Sequence, residues 1–144
     1  MLRVGTVGTS SIMRTIQEAI RLTDGMECRV VYSRTEEQGR AFAAEMGVPE
    51  HCTDYAAMLE RSDLDLIDIA SPNRFHVEQA LAALEHGKHV IVEKPAAVTR
   101  GDVQRLIDAA RANGVYFFEA ITTLFMPQYE ACRLLLPKLG RIEQ

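Results

Sequence analysis

Short apolar runs that alternate with stretches of helical period constrain this chain more than any other feature of its sequence. Leu2–Val7 reads as a first strand and runs into Gly8-Thr9-Ser10-Ser11, a turn whose serines can cap a helix with Ile12, Ile16, Ala19 and Ile20 on one face. Asp24-Gly25 breaks that helix, and residues 27–32 give a second strand. After Ser33-Arg34-Thr35 comes a second helix. Thr35 and Gln38 have capping-box spacing, Glu36 and Glu37 suit the positive end of the helix dipole, and Gly47 is the stop. Residues 48–53 support only a brief edge strand, and Asp54 caps a small helix carrying Met58 and Leu59. Residues 64–70 form the next strand, and the turn from Ser71 to His76 opens a helix with Val77, Ala80, Leu81 and Leu84 inward and Gly87 as its end. His89–Val92 is expected to be a strand buried on both faces. Thr99 with Asp102 starts another helix, residues 116–118 make a sixth strand, and Pro127 opens a last helix to about Leu136.

Strand and helix in turn, with no low-complexity linker, predict an α/β chain: a doubly wound, mostly parallel sheet with helices on both faces. For six strands the commonest order is 3-2-1-4-5-6, in which direction reverses between the first and fourth strands. A crevice then opens between the Gly8 turn and the Ser71 turn, and Glu93-Lys94-Pro95 and Glu119 face the same edge. Polar residues gather at these carboxyl ends, whereas the opposite ends carry turn residues such as Asp24-Gly25 and Asn113-Gly114. A lysine held extended before a proline, where a strand leaves the sheet, is a candidate for chemistry. A solvated lysine beside a strand-ending proline is the plain alternative.

At 144 residues, 47% hydrophobic and 25% charged, the chain has the size and composition of one globular domain. A net charge of -4 without a basic run argues against nucleic acid as a partner. No charged-then-apolar leader and no long apolar stretch is present, so a soluble, cytoplasmic protein with no membrane partner is expected. Cys28, Cys52 and Cys132 lack disulfide or zinc spacing and are expected to be reduced, buried thiols. His51, His76, His86 and His89 have no metal-like spacing either, and ordinary surface or loop roles are expected for them.

Several of these strand ends together resemble one family, the sugar and inositol dehydrogenases named for glucose-fructose oxidoreductase, inositol dehydrogenase and the rhizopine enzyme MocA. The resemblance runs through Arg3-Val-Gly-Thr-Val-Gly8, Val31-Tyr-Ser-Arg34-Thr, Ile69-Ala-Ser-Pro72-Asn73, Val92-Glu93-Lys94-Pro95, Phe118-Glu119-Ala120 and Phe125-Met-Pro127. It implies an NAD(P)-binding Rossmann domain over residues 1–120. Residues 121–144 would then be a connecting helix and the start of a crossing, at Gly140-Arg-Ile-Glu-Gln144, into a second sheet domain that this sequence lacks. That second domain carries substrate contacts and the oligomer interface in the family, so a longer, homo-oligomeric protein is expected. The resemblance also implies a nicotinamide-dependent oxidoreductase in which Lys94 assists substrate binding and proton transfer at the carbinol.

The glycine turn departs from the family pattern, because Gly8-Thr9-Ser10-Ser11-Ile12-Met13 keeps one glycine of the usual three. Ser10 puts a side chain where backbone normally approaches pyrophosphate, and Met13 stands where a small residue lets helix and strand approach closely. Hydroxyls of Thr9, Ser10 and Ser11, with the amides of the helix start up to Ile12, can still donate to an anion; otherwise Ser10 is only a cap. At the end of the second strand, Ser33-Arg34-Thr35 replaces the acid that marks NAD, which favours NADP through a bond from Arg34 to the 2′-phosphate. Stacking of Arg34 on adenine, or pairing with Glu36 or Glu37, would satisfy it as well. Ser71, Pro72 and Asn73 are expected along the cofactor, Asn73 doubling as a helix cap. His76 either faces the site or points to solvent, Glu93 contacts cofactor or supports a neighbour, and Glu119 could orient Lys94.

The first functional expectation is therefore the nucleotide-binding half of an NAD(P)-dependent oxidoreductase acting on a small molecule, a sugar, polyol or similar secondary alcohol. A nucleotide-binding or sensing module without turnover is the second. A methyltransferase of similar architecture is disfavoured, because it would want more glycine in the first turn and an acid after the second strand.

Overall fold

The computed structural model describes residues 1–138 and Gly140. Most of the expected crossing at residues 140–144 therefore lies outside the described residues. Six strands form one sheet in the order β3-β2-β1-β4-β5-β6, every neighbouring pair parallel. They are β1 (Leu2–Val7), β2 (Met26–Tyr32), β3 (Glu50–Cys52), β4 (Leu66–Ile69), β5 (His89–Val92) and β6 (Phe117–Glu119). Between them run α1 (Ser11–Leu22), α2 (Glu36–Met46), α3 (Tyr55–Leu59), α4 (His76–Glu85) and α5 (Arg100–Ala112), and α6 (Pro127–Leu135) follows. The doubly wound order read from the sequence is the one observed.

Local chemistry explains the boundaries. Hydroxyls of Ser10, Thr35 and Thr99 and the carboxylate of Asp54 each accept from an amide one turn into the helix that follows. Gly47 closes α2 in the left-handed region at φ 71°.

Alternation along each strand divides the core. Val7, Val30, Ile67, Ile69, Val90 and Val92 face Met58, Ala80, Leu84 and Leu106 of α3, α4 and α5. On the opposite face Met13 of α1 is fully buried against Val31, Phe42 and Ala43. Each such large apolar side chain contributes roughly 1.5–3 kcal/mol on burial. Met13 thus fills the space that a small residue would leave, and helix and strand meet through its side chain.

The expectations for β5, for the start of β6 and for Cys132 need correction. β5 is not buried on both faces, because Val90 and Val92 are buried while Ile91 is only half-buried. The helices on that face, α1 and α2, pack over β1 and β2, and Tyr116 and Phe118 beside Ile91 are 67% and 55% exposed. The sixth strand begins one residue later than expected, since the Tyr116 amide donates to the His89 Nδ1 rather than to a strand partner. Cys132 is exposed, whereas Cys28 and Cys52 are half-buried. α6 is exposed along its whole length. No helix among the described residues is long and apolar enough to cross a membrane.

Candidate functional site

At the carboxyl ends of the strands, Gly8 closes β1 with φ 116°, and its amide donates to the Tyr32 carbonyl at 3.0 Å. A Cβ built there would lie 2.7 Å from the Ala70 carbonyl oxygen, so only glycine lets this turn sit against the end of β4. Ser10 follows as the cap of α1, its hydroxyl oxygen accepting from the Met13 amide at 3.4 Å. That bond uses an oxygen lone pair and leaves the hydroxyl hydrogen to donate. The amides of Ser11 and Ile12 open α1 and have no intrahelical acceptor.

A cleft of about 230 Å³ lies over this turn. It is lined by Gly8, Thr9 and Ser10 of the turn, by Tyr32, Ser33, Arg34 and Gln38 at the end of β2 and the start of α2, and by Ser71, Pro72, Phe75 and Gln79 after β4. Arg34 is exposed and makes no ion pair or hydrogen bond among the described residues; of its two expected partners, Glu36 is bound to Arg40 and to His51, at 3.0 and 2.8 Å. Ser33 is buried, and its hydroxyl accepts from the Thr35 amide at 3.5 Å; Thr35 itself caps α2 and lies outside the cleft lining. A second, more open cleft of about 390 Å³ continues past Ser10, Ser71 and Pro72 to Ile12, Asn73, Glu93 and Lys94. The two share Ser10, Ala70, Ser71 and Pro72 and so form one crevice across the point where strand order reverses.

Lys94 is exposed, and its ammonium has no partner among the described residues. The backbone that carries it is held by two contacts: the Pro95 carbonyl meets His76 Nδ1 at 2.9 Å, and the Ala96 amide donates to Glu119 at 2.9 Å. His76 departs from both sequence expectations. Its ring is fully buried and lines neither cleft, with Nε2 on the Ser71 carbonyl at 2.8 Å, so it joins the Ser71 turn to the Lys94 loop from behind. A ring N–H with a backbone carbonyl to accept it holds the histidine inward rather than in solvent.

Some residues of the crevice escaped the sequence reading. Tyr32 and Gln38 line it through the end of β2 and the start of α2. Phe75 and Gln79 line it too, and spacings of four from Ser71 to Phe75 to Gln79 were the available signal. Asp68, midway along β4, was also missed. Its Oδ1 is buried without a hydrogen-bond partner among the described residues, and burial first, then the charge of Glu93, pushes the carboxyl up to about 7.

Comparisons with known proteins bear on the whole chain. The chain is 35% identical over all 144 residues to the NADP(+)-dependent scyllo-inositol 2-dehydrogenase IolU of Bacillus subtilis, and spans 44% of that protein. Its fold matches KijD10, a 3-ketoreductase from Actinomadura kijaniata solved with NADP and TDP-benzene, at a TM-score of 0.89 and 30% identity over 95% of this chain and 42% of that one. Biliverdin reductase from Synechocystis, solved with biliverdin and NADP+, matches at 0.88 and 30% identity over 97% of this chain and 44% of that one. The chain thus spans less than half the length of the relatives it matches. Residues 2–121 match the family model described as an oxidoreductase family with an NAD-binding Rossmann fold. By that match and by its crevice at the reversal of strand order, the chain belongs to the glucose-fructose oxidoreductase, inositol dehydrogenase and MocA family of oxidoreductases.

Proposed function

We propose that this chain is the nucleotide-binding half of an NAD(P)-dependent oxidoreductase that moves hydride to or from a sugar, a polyol or a similar secondary alcohol, with NADP favoured over NAD. One observation carries the reading: an anion-ready turn, built from Gly8 and the start of α1, shares a cleft with an Arg34 that no described acid neutralises. The residues present fit the cofactor. Gly8 brings backbone to the crevice floor, Ser10 and the first amides of α1 can donate to a diphosphate, and Arg34 can fork onto a 2′-phosphate. When bound, the nicotinamide supplies the hydride chemistry.

The chain's own residues bind and orient. Thr9, Ser10 and Ser11 hold the phosphates, Ser33 and Arg34 with Thr35 shape the ribose end, and Ser71, Pro72 and Asn73 run along the middle. Glu93 lies beside Lys94 and supports it, and Lys94 would hold or move the proton at the carbinol oxygen of the substrate. Residues 1–120 form the nucleotide-binding unit and residues 121–144 the connection onward. A cytoplasmic homo-oligomer, assembled through a further domain, completes the proposal.

Calorimetry and thermal melting of the chain with NADP and with NAD test the reading. Both should bind, NADP more tightly, and each should raise the melting temperature, because a ligand of the native state stabilises it. No heat and no shift at millimolar cofactor would overturn it. In the longer protein Lys94→Ala should lower turnover by roughly 100-fold with cofactor affinity little changed. Cofactor binding by a longer protein that turns over no alcohol would instead indicate a sensing module.

A further inference from the structure

We propose that Gln79 is the residue that reads the nucleobase of the cofactor, and that Ser71 sets the direction in which it reads. This deepens the assignment of the cleft to a dinucleotide and rests on it. Gln79 lies on α4 and lines the same cleft as Arg34 and Gln38. Among the described residues its carboxamide is held at one end only: the Ser71 hydroxyl donates to Oε1 at 2.6 Å. The Gln79 backbone is held as well, since its carbonyl accepts from the Tyr55 hydroxyl at 2.8 Å. With Oε1 engaged, the amide nitrogen is left with its two donors for the cleft.

A base fits the surroundings of that nitrogen. The Phe75 ring and Pro72 line the same cleft and give the base an apolar flank. Gly8 and Ser10 line the same cleft, so a diphosphate held there leaves the attached adenosine within reach of Gln79. An adenine ring carries acceptor nitrogens on its edge, which matches a wall that offers donors. Ser71 lines the crevice itself, but its hydroxyl is engaged by the Gln79 carboxamide, so towards the base it acts as a positioning residue for Gln79.

Titration calorimetry with NADP, with adenosine 2′,5′-bisphosphate and with reduced nicotinamide mononucleotide separates the two halves of the ligand. Gln79→Leu should weaken NADP and the bisphosphate by about the same factor, on the order of tenfold, and leave the mononucleotide unchanged. Ser71→Ala should weaken the same two ligands by roughly threefold, and the double variant should be no worse than Gln79→Leu alone, as expected when one residue acts through the other. Melting temperatures of the free variants report folding separately. Wild type that binds and a folded Gln79→Leu with unchanged affinity for the bisphosphate would overturn this inference alone, as would strictly additive losses for its Ser71 part. Wild type that binds none of the ligands would overturn the dinucleotide reading beneath it.

Discussion

The two ends of the same sheet treat charge in opposite ways. At the amino ends of the strands, Arg3 forks onto Asp65 at 2.6 and 2.9 Å, and Arg61 bridges Glu50 and Asp63 at 2.7 and 2.8 Å. Lys88 there is buried, with its ammonium on the carbonyls of Arg61 and Leu64 at 2.6 and 3.0 Å. At the carboxyl ends, Arg34 and Lys94 meet no acid among the described residues, and Glu93 and Glu119 accept only from the amides of Lys94 and Ala96. Polar groups at the amino end serve the fold, since they tie loop to strand and leave little for a ligand. On that side Glu36 pairs with Arg40 and His51, and Arg14 with Glu45, but the two cations of the crevice, Arg34 and Lys94, stay available, which is the condition for binding an anion there.

Asp68 lies between the two ends and sharpens the contrast most. Its folded-state pKa is raised from 3.8 to about 7, so the folded chain holds more protons than the unfolded chain across that interval. Stability from this group is full below about pH 4 and is lost as pH rises through about 7, a change on the order of 2–4 kcal/mol. Asp63 and Asp65 are shifted the other way, first by hydrogen bonds from Arg61 and Arg3, so their contributions are lost only at lower pH. Urea denaturation of wild type and Asp68→Asn across this interval checks the sign: the variant should lose the downward slope, and parallel profiles would show that Asp68 finds a partner.

Next in size is Lys88→Met, which keeps the apolar stem and removes the buried donors. Equilibrium unfolding should show a loss of about 2–3 kcal/mol. Asp65→Ala should cost about 1 kcal/mol, since the pair with Arg3 is a third exposed and screened by solvent. Lys94→Ala and Arg34→Ala should change stability by less than about 0.5 kcal/mol. A loss from either carboxyl-end variant that equals the loss from Lys88→Met would erase the distinction between the ends.

How much of this was legible in the sequence follows from the range of the interactions. Caps such as Thr35 and Thr99 act within one turn, and β-branched runs such as Val90-Ile91-Val92 mark strands locally, so element order and sheet topology could be read directly. Residues at strand ends were equally readable, because the doubly wound order brings Gly8, Arg34, Ser71 and Lys94 to one edge. His76 and Asp68 were not. His76 is drawn inward by Pro95, which is 19 positions away, and Asp68 occupies an ordinary strand position flanked by Thr6 of β1 and Ile91 of β5. The open face beside Ile91 was hidden for the same reason: strand patterning does not say which helix covers which pair of strands.

The contrast between the two ends rests finally on what Arg34 is free to do. Calorimetric titration of wild type and Arg34→Ala with NADP and NAD, at one salt concentration, measures it directly. The account predicts that the substitution weakens NADP by about 1–3 kcal/mol and leaves NAD nearly unchanged, the loss of a charge-assisted bond to the 2′-phosphate. Equal losses for both cofactors, or no loss for either, would contradict it.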